Sequence, residues 1–427
     1  MAQKKRSIGK RKTPQQQSNG SGGFFETLIT RREFLKKSLL VAGGIAAAAY
    51  GIDKIFSAHR RFTAQMKQAE EMGVFQTTDI FRNSAPKNLW KWSKEAAYYS
   101  ASGTDVQCTL CPHGCILAQG DRGFCRSRVN IAGKLYSLAY GNPCAAHVDP
   151  IEKKPLFHFL PQTTAYSIAT AGCNFRCLNC QNWTISQFQP EETQNMDMMP
   201  DAVVQNARSA GASSIAYTYS EPVTYYEYMH DTSVLARQQG LRNVLVSNAY
   251  INEEPLRKLC KVIDAATIDF KGINLQRHRD LTSGDFREVL RSLKILKEEG
   301  VWLEVSTLVV PSWTDSLDEI RELARQVYKA VGPDQPFHIL RFIPQYKLTG
   351  LAQTPVSTLL AARKIAQDEG MRYVYVGNLP GTDNQNTYCH ENGELCVERR
   401  GYQILKNNVD SEGYCAKCGA RIPGVWK

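Results

Sequence analysis

No stretch of this 427-residue chain is apolar for long enough to cross a bilayer as a helix. The longest apolar run, LLVAGGIAAAAYGI at 39–52, falls short of the roughly 20 residues such a span needs. Glycine (30) and proline (18) are not in excess, which excludes a fibrous or wholly disordered chain. An even cysteine count is also missing: there are 13, many of them clustered three or four apart. That spacing is too tight for most structural bridges and argues against a disulfide scaffold. The body of the chain lacks a basic surplus too. The formal charge is +11, but residues 1–37 hold ten Lys/Arg against two Asp/Glu, leaving the rest near +3. A nucleic-acid binder would carry its cations on the folded domain, so no nucleic-acid partner is expected.

What is present divides into four segments. Residues 1–56 combine a basic, glycine-rich stretch, expected to be disordered, with TRREFLKK and the short apolar run. Arg31 and Arg32 before that run resemble a twin-arginine export signal. Residues 57–148 read as an extension, with a helix at 59–73 and a crowd of cysteines from Cys108 to Cys125. Residues 149–385 alternate strand-like and amphipathic helical stretches. Residues 386–427 form a small cysteine-containing tail.

The alternating region predicts strands at 164–171, 213–220, 243–248, 265–272, 301–310, 337–342 and 373–377, with helices between them that finish at glycine. About six β/α units are too few for a closed eightfold barrel. The expected fold is therefore α/β, a partial (open) β/α barrel, with a cysteine-rich N-terminal element and a zinc-ribbon-like tail. Chemistry in such barrels gathers at the C-terminal strand ends. There the sequence places Ser220 and Glu221, Ser247 and Asn248, Asp269 and Lys271, and His338 with Arg341 near the mouth.

AGCNFRCLNCQNW carries Cys173, Cys177 and Cys180 directly after the first strand. Three thiolates can hold three irons of a cubane cluster and leave the fourth open to an exogenous ligand. A zinc site completed by a distant histidine is the alternative, although the nearest upstream one, His158, lies across the strand. Cys108, Cys111, Cys115 and Cys125 offer four thiolates, enough for a second metal site holding zinc or an iron–sulfur cluster.

With these motifs in view, the chain resembles the radical S-adenosylmethionine superfamily. More closely, it is similar to the pyruvate formate-lyase activating enzyme-related group found with AMMECR1-like and Memo-like proteins. The resemblance runs over 108–427, through CTLCPHGC, HVDPIEKKPLFHFLP, YTYSEP, VSNAYI, DFKG, FHILRFIPQYKLTGL, YVYVGNLPG and GYCAKCGARIPGVW. It implies a [4Fe-4S] cluster on Cys173, Cys177 and Cys180, with S-adenosylmethionine chelating the fourth iron. It implies reductive cleavage to a 5′-deoxyadenosyl radical, which abstracts hydrogen from an unidentified substrate such as a glycyl-radical-type or other protein. A low-potential donor such as ferredoxin or flavodoxin would supply the electron.

Ser220–Glu221–Pro222 matches the family's Gly-Gly-Glu-Pro position, with Glu221 expected to accept from the methionine ammonium. Tyr219 and Ser220 stand where the glycines would be. Phe175 is expected to shield the cluster and Asn182 to donate to its sulfurs. A helix-capping turn is the plain reading of Glu221, and a structural ion pair that of Asp269 and Lys271.

The tail departs from the family: Asn392 replaces a ligand in NTYCHENGELC, while Cys389, Cys396, Cys415 and Cys418 remain. Either Cys396 substitutes through a looser loop or the site has degenerated, and no tightly bound metal is expected there. A non-enzymatic electron-transfer or assembly protein is the alternative function; it explains the thiolates but not Glu221. The leader points to export or membrane association, whereas cofactor supply points to the cytoplasm.

Overall fold

The computed structural model describes residues 90–379, 381 and 383–427, all within the unit 77–427. The leader at 1–56 and the helix read at 59–73 lie outside the described residues. Two small antiparallel sheets come first. β1 (Lys94–Glu95) and β5 (Arg128–Ile131) flank β6 (Lys134–Ser137), while β2 (Tyr99–Ser102) and β4 (Ile116–Leu117) flank β3 (Asp105–Cys108). The cysteines sit at the end of β3 and in the turns before β4 and β5.

The central sheet has eight strands in sequential order. β7 (Ala145–Pro150) runs antiparallel to β8 (Thr164–Ala169) at one edge and was not foreseen from the sequence. From β8 onward every pairing is parallel: β9 (Ser214–Tyr217), β10 (Arg242–Ser247), β11 (Ala265–Asp269), β12 (Trp302–Val309), β13 (Phe337–Arg341) and β14 (Val374–Gly377). All seven expected strands are there. Among the described residues β14 pairs only with β13, so the barrel stays open.

Helical crossovers explain the parallel order, since a chain returning through a helix re-enters the sheet in the same direction. In chain order these are α1 (Trp183–Ser186), α2 (Pro200–Ser209), α3 (Tyr226–Gln238), α4 (Glu253–Cys260), α5 (Leu275–Thr282), α6 (Phe286–Glu298), α7 (Leu317–Val331) and α8 (Val356–Asp368). α6 shows the local logic. Asp285 caps its start by accepting from Arg287 N (3.0 Å), Leu293 and Leu296 bury its apolar face, and Gly300 (φ +76°) releases the chain.

The tail adds β15 (Thr387–Tyr388), β16 (Leu395–Arg400) and β17 (Gln403–Asn407). Its core is shared with the barrel: Phe157, Tyr373 and Tyr375 pack with Cys389, Cys396, Val397 and Ile422. Among the described residues, no helix is long and apolar enough to cross a membrane.

Candidate active site

The loop after β8 carries the three cysteines and is held on several sides. Arg176 N and Leu178 N donate to the Thr282 and Leu281 carbonyls at 2.7 and 2.9 Å, tying it to the end of α5. Gly172 must be glycine: its φ is +101°, and a Cβ there would meet the Cys125 carbonyl oxygen at 2.5 Å. Phe175 is buried against Tyr250, its ring filling the space that a Cβ on Gly284 would need.

Cys173, Cys177 and Cys180 line one cavity of about 1020 Å³. Ser220, Glu221, Ser247, Asn248, Asp269, Lys271, His338 and Arg341 line the same cavity. Residues from five strands or their adjoining loops thus converge on one space. Phe175 N donates to Cys173 Sγ at 3.3 Å, and the Cys180 thiol lies 3.1 Å from Ser186 Oγ. Burial pushes the Cys173 thiol well up, with Glu221 adding to it, and pushes Cys177 up to about 12. Such thiols stay protonated near neutrality unless a metal displaces the proton, as a cluster-binding set must.

Glu221 is buried at the foot of this space. It accepts from Ser247 Oγ (2.6 Å), Asn248 N (2.9 Å) and Val223 N (3.1 Å). The last bond caps the short 3-10 turn Pro222–Tyr225, so the capping role and the cavity position coexist. Burial raises its carboxyl to about 7 although those donors favour the charged form. A cation seated against it would complete the balance. Tyr219, two residues before Glu221, keeps a left-handed backbone, φ +63°. That costs about 1–2 kcal/mol in a non-glycine residue, offset in part by its hydroxyl donating to Asp149.

Lys271 Nζ is 3.0 Å from Asp269 Oδ2, and the Ser306 hydroxyl also donates to Asp269. Burial opposes ionisation of this carboxyl, but Lys271 outweighs it and holds the group below the ordinary range. The pair is formed and faces the cavity, with Lys271 near enough to Cys177 to favour its thiolate.

One placement differs from expectation. His338 is not near the mouth: it is the second residue of β13, buried, with Nε2 at 2.7 Å from Glu304 Oε2. Glu304 is itself fully buried and accepts from the Phe157 and His158 amides at 3.0 and 2.8 Å. Asn182, on the cavity wall, donates one amide hydrogen to the Tyr219 carbonyl (2.7 Å). Asn248 uses its side chain on Asn174 Oδ1 and Tyr250 N, both 2.8 Å, leaving its backbone N for Glu221. Sequence reasoning missed Lys153, Lys154, Arg400 and Tyr402 on the cavity wall. Only the KK doublet of HVDPIEKKP was a signal for the first two.

The tail bears on the two readings of its cysteines. Cys389, Cys396 and Cys415 bring their sulfurs within 4.8 Å of one another, and Cys418 Sγ is 3.6 Å from Cys389 Sγ. A zinc bound tetrahedrally at about 2.3 Å requires sulfurs about 3.8 Å apart. Cys396 lies on β16, which pairs with β15 through a register shift between Thr387 and Tyr388. Cys396 thus stands with Cys389 and Cys415 in an arrangement that could hold a metal ion. Cys108, Cys111, Cys115 and Cys125 line a second, small cavity of about 20 Å³ beside the 173–180 loop.

An open β/α barrel with three cysteines after its first parallel strand defines a class, and comparison with known proteins agrees. The Radical SAM superfamily profile matches residues 167–327. An uncharacterised protein of Methanocaldococcus jannaschii is 45% identical over 331 residues, covering 77% of this chain and 98% of its own length. Pyruvate formate-lyase 1-activating enzyme of Escherichia coli is 22% identical over 218 residues, 48% of this chain and 89% of that protein. A solved domain of pyruvate-formate lyase-activating enzyme from Bacteroides vulgatus is 13% identical with a TM-score of 0.35, covering 39% of this chain and all of that one. The chain belongs to the radical SAM superfamily. It is an enzyme of the radical SAM type, related to activating enzymes, and its cofactors are a [4Fe-4S] cluster and S-adenosylmethionine.

Proposed function

We propose that Cys173, Cys177 and Cys180 hold the cluster and that the large cavity takes S-adenosylmethionine and the reacting part of a substrate, which the enzyme attacks by hydrogen abstraction. The donor set fits. Three thiols face the cavity without gathering to the separation a single ion needs, and the buried Glu221 stands ready for a cation. When bound, the cluster and S-adenosylmethionine supply a 5′-deoxyadenosyl radical after one-electron reduction.

The chain's own residues do the positioning. Glu221, fixed by Ser247 and the Asn248 amide, binds the methionine ammonium as a charge-assisted acceptor. Lys271, set by Asp269, holds positive charge beside Cys177. Phe175 and Tyr250 wall the loop from water. The substrate class we favour is a protein, as for the activating enzymes related to this chain, and a glycyl-radical-type enzyme is its most specific form. A ferredoxin- or flavodoxin-type donor, and association with AMMECR1-like or Memo-like proteins, belong to the same reading and rest on resemblance.

The observation that carries the proposal is the convergence of the three thiols and Glu221 on one cavity. The test is release of 5′-deoxyadenosine from S-adenosylmethionine by anaerobically reconstituted, reduced protein. Product no higher than from a Cys177→Ser control defeats it.

A further inference from the structure

We infer that Cys108, Cys111, Cys115 and Cys125 hold a second iron–sulfur cluster, not zinc, and that it relays single electrons to the 173–180 site. The relay rests on the function proposed above; the metal assignment does not. Four free thiols surround one cavity. Two contrasts within the molecule identify what they hold.

The first is separation. In the tail, three thiols lie within 4.8 Å of one another, as a single tetrahedral ion demands. Among the described residues no other three His, Cys, Asp or Glu groups do so. The N-terminal thiols therefore stand apart around a space, as ligands that bond different irons of one cluster must.

The second is charge. Arg128 is 1% exposed and lines this cavity. Its Nη2 reaches both Glu227 oxygens at 2.6 and 2.8 Å, but its Nε has no hydrogen-bond partner. A buried, unpaired N–H on a guanidinium is costly, and cluster sulfur beside it is an acceptor. Arg126, the residue after Cys125, likewise has a buried and unpartnered Nη1. Cations around an iron–sulfur site favour its reduced form.

The place suits a relay. The Cys125 carbonyl packs against Gly172, the residue before Cys173. Asn174, inside the Cys173–Cys177 spacing, lines the small cavity and accepts at its carbonyl from His113 Nε2 at 2.7 Å. Arg176 lies over the Phe124 ring at 3.8 Å and donates to the Phe124 carbonyl. On the outer side Ile116, next to Cys115, is 74% exposed, so the site lies near the surface. One electron enters from a reduced flavodoxin- or ferredoxin-type protein, which is oxidised by one. The second cluster then passes one electron inward and returns to its oxidised form, with no bond made or broken.

Metal and acid-labile sulfide analysis of the full-length, anaerobically reconstituted protein reads the assignment directly. About eight iron, eight sulfide and one zinc per chain are expected; about four iron with two zinc would overturn it. A Cys173→Ala, Cys177→Ala, Cys180→Ala variant should keep about four iron. Loss of all iron from that variant, with its fold intact by circular dichroism, also overturns the assignment. If that iron persists while S-adenosylmethionine leaves the wild-type paramagnetic spectrum unchanged, the second cluster stands and the proposed active site fails. For the relay, a Cys111→Ala, Cys125→Ala variant should keep about four iron, and reduced flavodoxin should reduce that remaining cluster at least tenfold more slowly than in wild type. An unchanged rate removes the relay.

Discussion

Glu221 is where proton and ligand binding meet. Its carboxyl is raised to about 7 by burial, so the folded chain holds this proton more tightly than the unfolded chain does. Its contribution to stability is complete below the ordinary carboxylate range and is lost as pH rises through about 7. A bound ammonium reverses the preference and expels the proton. S-adenosylmethionine should therefore bind more tightly at about pH 8 than at pH 6, with proton release below neutrality. Glu221→Gln should weaken binding by about ten- to a hundredfold and flatten that pH dependence. Calorimetry of the cluster-loaded protein in buffers of different ionisation enthalpy measures both. Retained affinity with retained pH dependence would place the ammonium elsewhere.

Elements carry the geometry, and two substitutions separate their parts. Gly172→Ala forces a Cβ into the Cys125 carbonyl at a left-handed position. It should destabilise the chain by about 3 kcal/mol, read by chemical denaturation. A milder loss would mean that the two cysteine loops can move apart. Glu304→Leu strips acceptors from the Phe157 and His158 amides and from His338. Removing such a buried charged partner should cost about 3–5 kcal/mol, and a near-wild-type unfolding midpoint would refute that role.

The seven parallel strands were legible as short apolar runs, five of them followed by a helix that ends near a glycine. β7 was not, since the half-exposed AAHVDP has no alternation to betray it. The site residues were legible as polar interruptions at strand ends. His338 misled for the same reason: a polar residue in a strand signals an inward face, not depth along it. Glu304, polar within VWLEVST, is the same kind of signal and went unread.

At the scale of the whole molecule, the tail is part of the barrel. Val425 bridges to Phe159, Arg399 donates to the Phe157 carbonyl at 2.8 Å, and Arg400 and Tyr402 reach the cavity wall. We expect the tail thiols to hold zinc; Cys396→Ser should then release it and lower the melting temperature, as a chelator should in the wild type, since the binding energy of a structural metal is folding energy. Zinc content and calorimetry check this together. Full zinc retention would show that Cys396 is not a ligand. From the sequence, Asn392 left two readings open, since spacing alone cannot show whether Cys396 lies near Cys389 and Cys415.

The volume of the main cavity has a consequence of its own. At about 1020 Å³ it reaches the upper end of the range for a site holding one drug-sized molecule. A nucleoside the size of S-adenosylmethionine, seated deep against Glu221, leaves an anteroom above it. Whatever fills that anteroom is also the stopper of the vessel. On the function proposed above, the second molecule to arrive would itself cover the first.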